Sequence, residues 1–220
     1  MIDFAQARRT MVDGQVRVND VTNAAVIAAM LEVPREKFVP EARANLAYID
    51  DDLCVQEASG AKPARYLMEP MVLARMLQAL EITLECNVLD VGCATGYSSA
   101  VLSHIAGQVV ALEEDAALAA SARKILRAAN AEVVSGKVSD GWAAGAPYDA
   151  ILIGGAIENV PQTLTDQLKD GGRLAAVIRK DHAPKAMLYV RSGGHISARR
   201  LFDAAIPQLP GFETPKAFVF

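Results

Sequence analysis

An acidic residue, two glycines and the start of a helix lie together in one short segment of the sequence. Asp90 belongs to a short apolar run, Gly92 and Gly96 follow it, and a helical pattern begins at Tyr97. Glycine lets the backbone approach a ligand closely, and a helix N-terminus offers free N–H groups. Glu113 ends the next apolar run, 23 residues after Asp90, where its carboxylate could accept both hydroxyl groups of a ribose. The pattern predicts a nucleoside-binding site.

The spacing of the glycines favours one kind of nucleoside. The loop reads G-x-x-x-G with alanine at position 94, so it lacks the middle glycine of the dinucleotide-binding motif G-x-G-x-x-G. The carboxylate of Asp90 would repel a diphosphate, whereas it suits a cationic nucleoside that carries no phosphate. S-adenosylmethionine, with its sulfonium and ammonium groups, is such a ligand. A nicotinamide oxidoreductase is a weaker alternative. The other alternative is a glycine turn that only joins a strand to a helix and binds no ligand.

The elements that would position these residues alternate along the chain. Short apolar runs and helical segments follow one another from Asn87 onward, which is typical of a doubly wound, mostly parallel α/β sheet with helices on both faces. Strand patterns without helices between them follow Asp181, including Phe218–Phe220, and they predict antiparallel edge strands at the C-terminal end. Residues 1–80 are predicted to form helices and a substrate-side loop packed on the core, and residues 81–220 the cofactor-binding α/β core, within one compact domain.

Composition and charge argue against several classes of protein. The 220 residues contain 22 Lys and Arg against 26 Asp and Glu, a net charge of -4, which is the opposite of what dedicated nucleic-acid binding needs. The three cysteines form no C-x-x-C pair and the three histidines form no constellation, so no metal site is predicted. No apolar run approaches the roughly 20 residues of a membrane span, and the N-terminus shows no signal-peptide pattern. These features predict a cytoplasmic protein with no membrane contact.

The sequence also resembles a known family. D-x-G-x-x-x-G followed by an acid at the end of the next strand resembles the class I methyltransferases, and several further segments are similar to the protein-L-isoaspartate O-methyltransferases. The resemblance covers the chain from about Met11 to Arg173 and extends more loosely to Phe220. The most family-specific segment is VPREKFVPE at 33–41; the others lie at 11–17, 46–50, 146–152 and 167–174.

The resemblance implies a fold, a reaction and roles for the motif residues. Such enzymes transfer a methyl group from S-adenosylmethionine to the α-carboxylate of an isoaspartyl residue in a protein or peptide, which leaves S-adenosylhomocysteine and starts repair through a succinimide. Asp90 would organise the loop and the methionyl end of the cofactor, Gly92 and Gly96 would open the backbone to it, and Glu113 would hold its ribose. Transfer of this kind depends mainly on positioning, and no catalytic residue is identified.

The chain departs from the family on the acceptor side. With Pro70 as the anchor of the alignment, Met68 stands where the family has a serine near the reacting carboxylate, and Glu69 adds a negative charge beside it. A thioether cannot donate a hydrogen bond. Arg65, whose guanidinium binds carboxylates in a fork, and Ser59 are the candidate substrate-binding residues. This departure leaves open a divergent member with another methyl acceptor.

The adenine contact is the second departure. A gapless alignment places Lys137 where the family has an aspartate that accepts a hydrogen bond from adenine, and lysine accepts none. An alignment with a shorter loop places Asp140 there instead, and both alignments stay open. Together the two departures keep a further alternative, a non-catalytic cofactor-binding or interaction protein on the same scaffold.

Overall fold

A computed structural model describes residues 2–127, 129–180 and 183–213, and the strands of these residues form two sheets. The first sheet is an antiparallel hairpin, and the second has seven strands in the order β5-β4-β3-β6-β7-β8-β9. The strands are β1 (Leu53–Gln56) and β2 (Arg65–Leu67) of the hairpin, followed by β3 (Asn87–Val91), β4 (Gln108–Glu113), β5 (Ala131–Ser135), β6 (Tyr148–Ile157), β7 (Leu168–Ile178), β8 (Lys185–Ser192) and β9 (His195–Asp203).

The N-terminal third is helical, as the sequence predicts. Asp3 and Asn23 cap the first two helices, because each side chain accepts hydrogen bonds from backbone N–H groups of the first turn. The second helix ends before Pro34, since the residue that precedes proline avoids the helical region. The α-helices of the described residues are α1 (Phe4–Met11), α2 (Ala24–Glu32), α3 (Pro70–Leu80), α4 (Tyr97–Ser103), α5 (Ala116–Ile125) and α6 (Gln162–Asp166).

The parallel half of the large sheet brings the motif residues to one edge. Strands β3 to β7 pair in parallel, and β3, β4 and β6 are almost wholly buried because the sheet is covered on both faces. Val91 at the end of β3 is in register with Leu112, so Glu113 ends β4 one residue further on. Carboxyl ends of parallel strands share an edge, where open α/β sheets bind their ligands.

The C-terminal edge of the sheet is antiparallel. Strand β8 pairs antiparallel with both β7 and β9, which confirms the predicted edge strands. The predicted strand at Phe218–Phe220 lies outside the described residues. The mostly parallel sheet with flanking helices confirms the predicted fold class.

After β9 the chain returns across the carboxyl edge of the sheet. This return segment, residues 206–212, is tied to β6 by two backbone hydrogen bonds, from Ala156 N to Pro207 O (2.9 Å) and from Leu209 N to Ala156 O (2.8 Å). Leu209 is 2% exposed and Phe212 is also buried. The segment therefore covers part of the edge at which the glycine loop lies.

One hydrophobic cluster joins the N-terminal helices to the sheet. Its buried members include Met11 of α1, Val26 of α2 and Leu73 of α3 together with Val101 and Val109 of the α/β core. None of the helices in the described ranges is long and apolar enough to cross a membrane.

Candidate cofactor-binding site

Glu113 is fully buried at the end of β4, and its carboxylate accepts four hydrogen bonds. Arg65 Nη1 lies 2.6 Å from Oε1 and Nη2 lies 2.8 Å from Oε2. The backbone N–H of Ala94 donates to Oε2 (2.8 Å), and that of Asp115 donates to Oε1 (2.9 Å). A carboxylate has about four lone-pair positions, so each oxygen of Glu113 already has its two partners.

Arg65 begins β2 of the hairpin and lies over the edge of the large sheet. Its side chain is 7% exposed, and Nη2 also approaches the carbonyl oxygen of Gly92 at 3.3 Å. The contact between Arg65 and Glu113 therefore bears on two predictions from the sequence. The sequence predicts Arg65 as the partner of a substrate carboxylate and Glu113 as the ligand of a ribose, whereas the structure pairs the two residues with each other as a bidentate ion pair.

Asp90 lies in β3 beneath the glycine loop and is fully buried. Its Oδ2 accepts hydrogen bonds from the hydroxyl groups of Ser98 and Ser99, both at 2.6 Å, and its Oδ1 has no partner among the described residues. Burial raises the pKa of Asp90 to about 6; the serine hydroxyls oppose the shift, and the charge of Glu113 adds to it. The two serines are a part of the site that the sequence motif did not predict.

The glycines of the loop are required by contacts within the chain. Gly92 and Gly96 have φ of +75° and +96°, a region that side chains disfavour. A Cβ at Gly92 would lie 2.7 Å from Leu209, and one at Gly96 would lie 2.9 Å from Leu126. The close approach that the sequence predicts is therefore made in this structure by the protein's own leucines.

The predicted adenine contacts lie away from the open space at this edge. A cavity of about 260 Å³ is lined by Gln56, Pro63, Arg65, Glu114, Asp115, Val138, Pro210 and Gly211. Lys137 and Asp140 are both exposed and neither lines this cavity. The predicted strand over 132–138 ends early, at Ser135, and a turn from Val138 to Asp140 directs Val138 inward instead. The structure does not bring Asp140 to this cavity, and its role as the adenine contact stays a prediction from the sequence.

The acceptor side is tightly closed. Met68 is 6% exposed and lines two small cavities of about 10 Å³ each, and a cavity of that size holds about one water molecule. Its carbonyl oxygen accepts a hydrogen bond from the buried Arg35 at 2.8 Å. Ser59 is exposed in the hairpin loop, where it pairs with Lys62 through the backbone, and it lines none of these three cavities.

Two carboxyl groups beside Met68 carry raised pKa values. Burial raises the pKa of Glu69 to about 7, and the charges of nearby aspartates, first Asp52, add to the shift. Burial also raises the pKa of Asp52 to about 6, although its Oδ1 accepts a hydrogen bond from Glu69 N at 2.9 Å. The acceptor side is thus acidic, with groups that protonate more readily than usual. Within the described ranges, no group of three His, Cys, Asp or Glu side chains could hold a metal ion.

The residue types at this edge suit S-adenosylmethionine, but in this conformation the chain's own side chains fill the positions that it would take. The carboxylate that would take the ribose is fully occupied, Leu209 covers Gly92, and the spaces beside Met68 admit about one water molecule each. At this edge, the described residues leave one larger space, the cavity of about 260 Å³ beside Glu114 and Val138.

The sheet order, the acid beneath a glycine loop and the acid at the end of the next strand define a class I methyltransferase fold. A solved protein-L-isoaspartate O-methyltransferase superposes with a TM-score of 0.79 at 22% identity, over 93% of this chain and 67% of that one. A second structure, from Plasmodium falciparum and described as a beta-aspartate methyltransferase in complex with S-adenosyl-L-homocysteine, gives a TM-score of 0.76 at 20% identity, over 93% and 98% of the two chains.

Sequence comparison identifies the family within this class. The family model described as "Protein-L-isoaspartate(D-aspartate) O-methyltransferase" matches residues 7–206. A Methylorubrum extorquens protein-L-isoaspartate O-methyltransferase is 41% identical over 96% of this chain and 92% of its own length, and protein-L-isoaspartate O-methyltransferase 1 of Rhodopseudomonas palustris is 37% identical over 96% and 85%. The chain belongs to the protein-L-isoaspartate O-methyltransferase family, whose members are S-adenosylmethionine-dependent enzymes. The predicted family is confirmed.

Proposed function

We propose that this protein transfers a methyl group from S-adenosylmethionine to the α-carboxylate of an isoaspartyl residue in a protein or peptide. The observation that carries the proposal is the family match over residues 7–206, which includes Asp90 and Glu113 at the shared carboxyl edge of β3 and β4. A carboxylate that attacks an activated methyl group needs little acid–base help, since alignment of the reactants supplies most of the rate. The absence of a nucleophile–base pair from the sequence motifs agrees with this chemistry.

The chain's own residues would contribute burial and charge. Met68 and the return segment exclude water from the edge of the sheet, which strengthens electrostatic interactions there. Asp90 and Glu113 supply the negative charge that a sulfonium nucleoside favours. The cofactor-binding roles of Asp90, Gly92, Gly96 and Glu113 are part of this proposal, as is the isoaspartyl acceptor. The cytoplasmic location and the lack of nucleic-acid partners stay predictions from the sequence.

The test is transfer of a labelled methyl group from S-adenosylmethionine to a peptide that contains one isoaspartyl residue. The same peptide with a normal aspartyl linkage is the matched acceptor control, and the variant Glu113→Ala is the site control. Label on the isoaspartyl peptide alone, and its loss in the variant, would support the proposal. No label on either peptide from a protein that binds S-adenosylhomocysteine would contradict the acceptor.

A second acceptor class is favoured by one specific observation. Met68 cannot donate a hydrogen bond to a carboxylate, and Asp52 and Glu69 place acidic groups on the same side. A neutral or cationic acceptor would meet no repulsion there. Labelling of basic peptides without isoaspartate, in parallel with the isoaspartyl peptide, distinguishes the two acceptors.

A further inference from the structure

The ion pair between Arg65 and Glu113 joins two residues that the proposed function needs apart. We propose that Arg65 is an intramolecular latch: its guanidinium occupies the position of the cofactor ribose at Glu113, and the cofactor binds only after the β1–β2 hairpin withdraws it. The inference rests on the proposed function, because the ligand that competes with Arg65 is the nucleoside of S-adenosylmethionine.

The geometry of the pair is that of a competitor for the two ribose hydroxyls. The two guanidinium nitrogens donate to different oxygens of Glu113, at 2.6 and 2.8 Å, as two vicinal hydroxyl groups would. The other two hydrogen bonds come from backbone N–H groups of Ala94 and Asp115, which belong to the scaffold. A ribose can therefore bind this carboxylate only where Arg65 now does.

Arg65 also divides the space at the sheet edge. It lines the cavity of about 260 Å³ beside Glu114 and Val138, and it lines the cavity of about 10 Å³ beside Met68 and Leu209. A nucleoside with an amino acid attached has to extend across both regions. Withdrawal of this one side chain would connect them, so Arg65 controls access as well as the ribose ligand.

The hairpin that carries Arg65 is held lightly at the end that has to move. Strands β1 and β2 pair only with each other, with an irregular register between Cys54 and Gln56, and an isolated two-stranded hairpin is marginally stable. Leu53, Val55 and Leu67 anchor the hairpin in the core, and Arg43 donates a hydrogen bond to the carbonyl oxygen of Cys54 (2.8 Å).

Besides the buried contacts of Arg65 with Glu113 and Gly92, two contacts tie this end of the hairpin to the sheet edge. The exposed Lys62 forms an ion pair with the partly buried Asp115 (3.4 Å), and Gln56 lies 3.5 Å from the same carboxylate. An ion pair with one exposed partner contributes little.

A latch lowers the apparent affinity for the cofactor by the fraction of molecules that are open. The apparent dissociation constant equals the intrinsic constant divided by that fraction, so a protein without the latch should bind more tightly. Removal of Arg65 also leaves the buried charge of Glu113 without its cation, which destabilises the free protein. Ribose hydroxyls would then relieve that charge, and the cofactor product should stabilise the variant more than the wild type.

The test measures S-adenosylhomocysteine binding by calorimetric titration to the full chain. Arg65→Ala removes the latch. Arg65→Gln serves as a second variant if the alanine variant folds poorly, because glutamine removes the charge and the forked guanidinium but keeps a polar group beside Glu113. Arg17→Ala removes an arginine from an exposed ion pair with Asp13 and is the charge-matched control. We expect at least tenfold tighter binding by both Arg65 variants and no change in the control. In thermal unfolding, the Arg65 variants should have a lower Tm than the wild type without ligand, and S-adenosylhomocysteine should raise their Tm more than it raises that of the wild type.

The outcomes separate the latch from the proposed function. If the wild type binds S-adenosylhomocysteine and the Arg65 variants bind it equally well or more weakly, the latch is overturned and the proposed function still stands. No binding by any form, with all forms folded, would contradict the proposed function and the latch with it.

Discussion

Replacement of Asp90 by asparagine should change the pH dependence of folding in a way that the structure quantifies. Asp90 is fully buried, and its pKa is raised to about 6 from the 3.8 of an exposed aspartate. Below pH 3.8 the group is protonated in both folded and unfolded chains and contributes nothing. Between the two values the unfolded chain loses its proton first, so the stability of the wild type falls as pH rises. Above pH 6 both states are ionised, and the loss is constant.

The size of this effect follows from the two pKa values. Each pH unit between them costs about 1.4 kcal/mol, which amounts to roughly 3 kcal/mol from pH 4 to pH 7. Asparagine does not titrate, so the free energy of unfolding of Asp90→Asn minus that of the wild type should rise by about 3 kcal/mol over this range. Asp52 and Glu69 titrate with the same sign, but both proteins contain them and their contribution cancels in the difference.

Urea unfolding at several pH values between 4 and 7.5 is the assay. The exposed Asp166 provides the matched control, because Asp166→Asn makes the same chemical change at the surface. Parallel stability curves for the wild type and Asp90→Asn would refute the reasoning, since they would mean that folding does not raise the pKa of Asp90 above its value in the unfolded chain.

Three further substitutions test the site. In an Arg65→Ala background, where the latch is absent, Glu113→Ala should weaken S-adenosylhomocysteine binding by about 1–3 kcal/mol, the scale of hydrogen bonds to a charged group; unchanged affinity in a titration would place the ribose elsewhere. Gly92→Ala should destabilise the protein by about 1–3 kcal/mol, since its Cβ would lie 2.7 Å from Leu209, whereas Gly14→Ala, with nothing within 4 Å of the added atom, should not. Arg35→Met should cost about 2–4 kcal/mol, because two buried carbonyls lose their donor. Urea denaturation measures the stability of the Gly92 and Arg35 variants. An equal loss of stability in Gly14→Ala would contradict the argument for Gly92, and an unchanged stability of Arg35→Met would contradict the argument for Arg35.

The predictable part of the site lies in contiguous sequence. Asp90, Gly92 and Gly96 belong to one strand–loop–helix unit, and Glu113 ends the neighbouring strand, so strand pairing alone brings them to one edge. Asp140 is predicted only by an alignment with a shorter loop, and the strand before that loop ends at Ser135, earlier than predicted. Loop geometry depends on what packs beneath it, which a local pattern does not contain.

The sequence by itself determined the doubly wound sheet, its antiparallel edge and the position of the acids. Hydrophobic periodicity and turn residues carry that information locally. Only the tertiary structure decided what these acids contact. The pairing of Arg65 with Glu113 joins residues 48 positions apart, and Leu209 reaches Gly92 from the far end of the chain. Both contacts depend on how a hairpin and a return segment pack on the finished sheet, so no spacing rule could have predicted them.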